Sequence, residues 1–219
     1  MTWLEMREVF KQMTLAQHEA MTEVVALSCM GNPFDEQFTI GEDGRINFTF
    51  SERMQMVADK VAEFASPPAS VLDVGCWQGH LAIHLLQQGY YAGGIDLSHA
   101  SANRATGRIV NLPEEARKRS MGFWQGWAHE VLPRLGQYDL VVCEGMLEHV
   151  PDEVLPQTCD ALVAATKHVL IVQVPGWDDL WPLHLRVFTS ESLVAAVARP
   201  GWIWKVAPGP CLMAWGVRE

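Results

Sequence analysis

The chain has 219 residues, 49% hydrophobic and 19% charged, which is room for one α/β domain and a short extra segment. Its formal charge of -10 offers no cationic face for a polyanion, so DNA is not expected as a partner. Five scattered cysteines without a CxxC pair argue against a zinc knuckle or disulfide framework and for a reducing, cytoplasmic setting; no apolar run reaches membrane-spanning length, and the charges within the first dozen residues are unlike a secretory signal.

Helical periodicity over 2–30 is broken by Gly31-Asn32-Pro33. A turn is expected over 41–44, and a further helix over 51–64 leads into Ser66-Pro67-Pro68. Residues 1–65 are read as a helical N-terminal extension, either a cap over the active face or an outrigger packed on the sheet. Residues 66–219 form the remaining domain.

An apolar run over 71–74, ending at Gly75, reads as a buried strand. A helix follows over 80–88, with Leu81, Leu85 and Leu86 on one side and Gly89 at its end. Strands over 91–95 and 121–124 bracket a helix that Ser98 can cap. Arg117-Lys118-Arg119 follows Glu114-Glu115 and reads as a solvated helix end.

A helix over 127–135 precedes a strand over 140–143. Pro151 suits the first turn of a helix reaching about 167, and a strand follows over 168–174. A helix beginning at Ser190, capped by its own hydroxyl, ends at Pro200-Gly201. Strands over 202–206 and 212–217 close the chain as a hairpin. This alternation predicts an α/β, doubly wound, mostly parallel seven-stranded sheet with one antiparallel strand at the end.

In such sheets ligands bind beyond the carboxyl ends of the strands, where strand order reverses. Gly75 and Gly79 allow a tight turn, and the helix after them offers unpaired N–H groups. About twenty residues on, Asp96 ends the next strand, where a carboxylate can accept hydrogen bonds from both ribose hydroxyls. Together they read as a nucleoside site; alone, Asp96 would serve as a helix cap. The GxxxG spacing is not the GxGxxG of dinucleotide enzymes.

VLDVGCWQGH, GGIDLS, YDLVVCEGMLEHVPD and HLRVFTSESLVAAV, in that order over about residues 50–219, resemble the class I S-adenosylmethionine-dependent methyltransferases. The similarity is greatest to the small-molecule O- and N-methyltransferases of ubiquinone and sugar modification. The resemblance implies a Rossmann-like methyltransferase fold with S-adenosyl-L-methionine as cofactor and S-adenosyl-L-homocysteine as product. It assigns Asp73, Gly75, Cys76, Trp77 and Gly79 to the loop around the methionine part. Asp96 becomes the ribose acid, with Leu97 and Ser98 flanking the adenine. Gly126, Trp127 and Ala128 fall where the family has Gly-Asp-Ala beside the adenine. Glu144, Gly145 and Met146 border the reactive end, and Arg53 is placed at the cofactor carboxylate. Trp77 replaces the family's middle glycine, and Trp127 replaces its aspartate, which leaves stacking and backbone groups to hold the base.

Methyl transfer to a hydroxyl or amine needs an aligned nucleophile and a base. His149, just after the fourth strand of the pattern, is the expected base. His184, on the loop with Trp177, Asp178, Asp179 and Trp181, is the second candidate. His18, His84 and His129 read as surface or packing residues. The fifth strand ends Gln173-Val174-Pro175 without acids, so no metal is expected. The acceptor is expected to be a small molecule or glycan, taken by a monomer or homodimer. A protein or RNA base as acceptor, or a cofactor-binding partner without catalysis, are the alternatives.

Overall fold

Thr2 opens the first helix with a reciprocal cap: its hydroxyl accepts from the Glu5 N–H (3.2 Å) and Glu5 accepts from the Thr2 N–H (2.6 Å). The computed structural model describes residues 2–29, 39–40, 46–47, 51–177, 183–209 and 211–219. The stretch expected as one helix is two, α1 (Trp3–Lys11) and α2 (Leu15–Cys29). The break is made at Thr14, whose hydroxyl accepts from the Gln17 N–H (3.3 Å) and starts α2 as a new helix. Strands β1 (Thr39–Ile40) and β2 (Ile46–Asn47) pair antiparallel; the turn expected between them lies outside the described residues. Ser51 caps α3 (Glu52–Phe64), accepting from the Met54 N–H (3.2 Å).

The rest alternates as expected: β3 (Ser70–Val74), α4 (His80–Gln88), β4 (Tyr91–Asp96), α5 (His99–Ile109), α6 (Glu114–Lys118), β5 (Ser120–Gln125), α7 (Ala128–Leu135), β6 (Tyr138–Glu144), α8 (Leu155–Ala165), β7 (Thr166–Pro175), α9 (Ser190–Val197), β8 (Trp202–Ala207) and β9 (Cys211–Arg218). Arg117 and Lys118 at the end of α6 are solvated, Lys118 pairing with Glu114 and Glu115 at 2.9 Å, whereas Arg119 is half-buried and donates to the Leu86 carbonyl (3.4 Å). Two helix starts differ from expectation. Pro151 accepts from Val154 and Leu155 and makes a turn, so the proline in the first turn of α8 is Pro156. The cap of α9 is Thr189, which exchanges hydrogen bonds with Ser192, and Ser190 is the first helical residue.

The seven-stranded sheet has the order β5-β4-β3-β6-β7-β9-β8, parallel except for β9. The antiparallel strand lies inside the sheet, between β7 and β8, and β8 takes the edge. Alternation along β6 explains the two-sided core: Val141 and Cys143 join one cluster with Leu162 and Leu193, while Leu140 and Val142 join the other with Val61 and Leu85. Strand order reverses between β3 and β6, which opens a crevice at their carboxyl ends. Among the described residues no helix is long and apolar enough to cross a membrane.

Candidate functional site

That crevice is a cavity of ≈740 Å³. Its walls come from the β3 turn (Val74, Gly75, Trp77), the end of β4 (Ile95, Asp96, Leu97), the β5–α7 turn (Gly126, Trp127, Ala128) and the residues after β6 (Glu144, Gly145, Met146, His149, Val150). Arg53 and Met54 of α3, Thr158 of α8, Leu183 and His184 complete one side. The fourth wall is α2, through His18, Met21, Thr22 and Val25.

Asp96 is fixed by backbone donors. Its Oδ2 accepts from the Trp77 N–H (2.8 Å) and its Oδ1 from the Ser98 N–H (2.9 Å). Each oxygen keeps a further lone pair for a ligand hydroxyl. Burial pushes the Asp96 carboxyl up to about 6; the N–H groups of Ser98 and Trp77 oppose that, and the charge of Glu23 adds to it. The turn that delivers the Trp77 N–H is left-handed at three positions: Gly75 (φ 84°), Trp77 (φ 48°) and Gly79 (φ 80°). A Cβ on Gly75 would come within 2.7 Å of the Met146 Cβ, so this glycine keeps the β3 and β6 turns together under the cavity. Trp77 does not plug the cavity; its half-buried side chain forms part of the wall.

Four residues assigned to the cofactor loop or adenine flank do not line the cavity. Gly79 is a packing glycine, since a Cβ there would meet Ala105 at 2.9 Å and the Phe123 ring at 3.0 Å. Cys76 is buried against Gly94. Ser98 is fully buried and caps α5, accepting from the Ser101 N–H (3.1 Å). Asp73 lies buried beneath the turn, its carboxyl driven well above the ordinary range by burial and by the charges of Glu144 and Asp96.

At the opposite end Glu144 forms an ion pair with Arg53. Burial raises the Glu144 carboxyl, and Arg53 pulls it back. Beyond it, His149 and His184 meet edge to face with ring centroids 4.6 Å apart. The Leu183 carbonyl lies 3.0 Å from His149 Nδ1 and can only accept, so Nδ1 carries the hydrogen and Nε2 is the basic nitrogen. His184 arrives from far along the chain because its loop is tied to the β6 turn. The Leu185 N–H donates to the Glu148 carbonyl (2.7 Å), and Arg186 donates to the Leu147 carbonyl (2.6 Å) and pairs with Asp152 (2.7 Å). Glu148, His149 and His184 each present a ligand atom within 4.8 Å of the others, a donor set that suits a divalent transition ion. Sequence reasoning named His184 as the second candidate but did not set its imidazole against His149 and Glu148.

Trp177 is half exposed and outside the cavity wall; Asp178, Asp179 and Trp181 lie outside the described residues. What the sequence reading left open, between a cap over the active face and an outrigger packed on the sheet, was the α2 wall. Its signal was present, because positions 18, 21, 22 and 25 share one helical face, but spacing does not say what that face covers.

A family model described as a methyltransferase domain matches residues 50–202. Curated proteins named ubiquinone biosynthesis O-methyltransferase are similar. The one from Acinetobacter baumannii (strain AYE) is 37% identical over 101 residues, 45% of this chain and 41% of that protein. The one from Pectobacterium carotovorum subsp. carotovorum (strain PC1) is 35% identical over 136 residues, 59% of this chain and 52% of that protein. The chain thus matches about half the length of these relatives. A solved magnesium protoporphyrin IX methyltransferase from Synechocystis PCC 6803 with bound SAM superposes with a TM-score of 0.66 at 17% identity, over 92% of this chain and 97% of that one. The methyltransferase domain of a bacterial Hen1 protein superposes with a TM-score of 0.64 at 22% identity, over 77% and 97%. These two likenesses are likenesses of fold.

Proposed function

Because the chain belongs to the methyltransferase-domain family, of the class I S-adenosylmethionine-dependent type, we propose that it transfers a methyl group to the hydroxyl of a small, neutral, partly apolar acceptor. The observation that carries this is one cavity with a backbone-anchored carboxylate, Asp96, at one end and a His149–His184 pair at the other. S-adenosylmethionine, when bound, supplies a methyl carbon on a positively charged sulfur that departs as a neutral thioether. The chain's own groups hold and orient the two reactants and move one proton.

Asp96 accepts from the ribose hydroxyls, Leu97, Gly126, Trp127 and Ala128 line the adenine end, and Gly75, Gly145 and Met146 line the passage to the reacting atoms. Arg53, held by Glu144, faces the cofactor's carboxylate. The Nε2 of His149 takes the acceptor's proton as the new O–C bond forms, and the Leu183 carbonyl steadies the resulting imidazolium through Nδ1–H. His184 sets the ring plane.

The acceptor class is drawn from the lining of the cavity. Met21, Val25, Met54, Val150 and Leu183 are apolar, and among the described residues Arg53 is the cavity's only Lys or Arg. A sugar-like acceptor fits less well than a flat or aliphatic alcohol, and a nucleic acid or protein side chain finds no basic rim. The relatives' name, O-methyltransferase, favours oxygen over nitrogen. The five cysteines are all free, which supports a cytoplasmic setting.

Calorimetry with S-adenosylmethionine and S-adenosylhomocysteine tests the cofactor half. Micromolar binding of both is expected, and failure below millimolar concentration removes the reading. A mass shift of one methyl on an alcohol or phenol from a mixed panel tests the acceptor half. Tight cofactor binding with no transfer to any acceptor would favour a non-catalytic partner. Running the panel before and after chelation, with divalent ions added back, decides whether Glu148, His149 and His184 work as a base cluster or as ion ligands.

A further inference from the structure

The wall made by α2 lies outside residues 50–202, the segment matched by the family model. It turns Met21, Thr22 and Val25 into the cavity while Val24 and Leu27, on its far side, are 60% and 55% exposed. The inward face is buried at Ala26 and His18, and Leu15 packs on the core; over the start of α5, hydrogen bonds fix where the helix sits.

Those bonds converge on one side chain. Glu23, at the middle of α2, accepts from Ser98 Oγ (2.7 Å) and from the Ala100 N–H (3.1 Å to Oε1 and 3.3 Å to Oε2). Both donors belong to the start of α5, where unpaired N–H groups and the positive end of the helix dipole favour an anion. Glu19, one turn earlier, accepts from Gln125 Nε2 at 3.3 Å. Ser98 is shared: its N–H donates to Asp96 Oδ1 and its hydroxyl to Glu23. One residue thus joins the carboxylate at the floor of the cavity to the helix that roofs it.

We propose that Glu23 is a positioning residue, the latch that holds α2 across the cavity and thereby sets how long the cofactor stays and how tightly the acceptor is enclosed. The latch itself stands on geometry; what it encloses rests on the methyltransferase reading. With Glu23 engaged, Met21 and Val25 exclude water above the reacting atoms, as methyl transfer needs. With it released, α2 loses its bonds to the start of α5 and the cavity opens to solvent on that side.

Two measurements on the full chain separate the latch from the enzyme reading. The first is amide hydrogen exchange of the ligand-free protein, wild type against Glu23→Ala and Glu23→Gln. Loss of a charge-assisted bond predicts that exchange within Leu15–Cys29 speeds up about tenfold in Glu23→Ala, with Ser70–Val74 and Tyr138–Glu144 unchanged. Glu23→Gln, which keeps an acceptor oxygen without the charge, is expected between the two and serves if the alanine variant does not fold. Unchanged exchange over α2 in both variants would overturn the latch.

The second is stopped-flow dissociation of S-adenosylhomocysteine together with steady-state turnover. Dissociation about tenfold faster and KM raised, with kcat nearly kept, is the expected signature of a lost latch. Loosened α2 with an unchanged dissociation rate would overturn its role in retention. If exchange responds but wild-type protein binds neither S-adenosylmethionine nor S-adenosylhomocysteine, the latch stands as a hinge and the methyltransferase reading falls.

Discussion

On the β3–β4 side of the cavity the polar contacts are made by backbone N–H groups and one carboxylate, all within Gly75–Ser98. On the other side they are the Arg53–Glu144 ion pair and two imidazoles, set among apolar side chains from α2, α3, the β6 turn and a loop some 35 positions further on. The first half is a short local segment whose geometry follows from strand, turn and strand. The second is an assembly of distant pieces, each free to change without disturbing the sheet. On the proposed reading the local segment holds the cofactor and the assembled side takes the acceptor, and a site grafted on a fold in this way is where function resides.

Removing the base should break the comparison most sharply. His149→Ala is expected to lower turnover by about 10² to 10⁴, the range for a positioned general base, while S-adenosylhomocysteine affinity stays within about twofold of wild type, since in the proposed role the imidazole takes only the acceptor's proton. Single-turnover kinetics alongside calorimetry checks both. Turnover equal to wild type would move the base elsewhere, His184 being the next to test.

Removing the anchor carboxylate should do the reverse. Asp96→Ala leaves the ribose hydroxyls unpaired and is expected to weaken cofactor binding by about 1–3 kcal/mol, with a smaller effect on turnover at saturation. The same carboxylate gives the cofactor half a pH signature. Its folded value of about 6 lies above the ordinary 3.8, so it protonates as pH falls through 6 and stops accepting from both hydroxyls. Cofactor affinity should therefore be flat above about pH 7 and fall below 6 in wild type, and lose that step in Asp96→Asn. For folding the sign is opposite. A raised acid favours the folded chain as pH falls from about 6 towards 4, because burial of its charge is relieved. Asp73 and Glu144 are raised too, so what identifies this group is an affinity loss and a stability gain over one pH window that both shrink in Asp96→Asn, read by calorimetry and urea titration.

The contrast also explains what was legible. β3, β4, β6 and β7 were readable because strands buried on both faces are continuous apolar runs, and Asp96 because a polar residue ending such a run has few reasons to be there. Gly79 was misplaced for a physical reason: a positive φ and a close approach look the same in sequence whether the neighbour is a ligand or Ala105. Pro151 and Thr189 show the same ambiguity at helix starts, where a neighbouring Pro156 or Ser190 satisfies the pattern equally well. His184 was named as a candidate, and a cap over the active face was one of two alternatives for the N-terminal extension, but the contacts that seat them were not readable. Their positions depend on Arg186, Leu185 and Glu23 reaching partners at the ends of other elements, and no local pattern encodes those partners.

Trp77 sharpens the comparison at its finest scale, because here the local, backbone-built half carries a side chain in a backbone region that disfavours one. At φ 48° an L-residue is strained by about 1–2 kcal/mol relative to glycine. The strain is held by the bond from its N–H to Asp96 and offset by an indole packed into the cavity wall. Two substitutions separate these parts. Trp77→Gly loses the indole and relieves the strain, whereas Trp77→Ala loses the indole and keeps it. Alanine should thus be less stable than glycine by about 1 kcal/mol in urea denaturation, the reverse of the order in an ordinary helix or strand, where glycine is the weaker residue. Equal stabilities, or glycine below alanine, would mean that the turn relaxes once the indole is gone. The Asp96 carboxylate would then be held by the wall side chain rather than by the backbone, and the two halves of the cavity would differ less than their geometry implies.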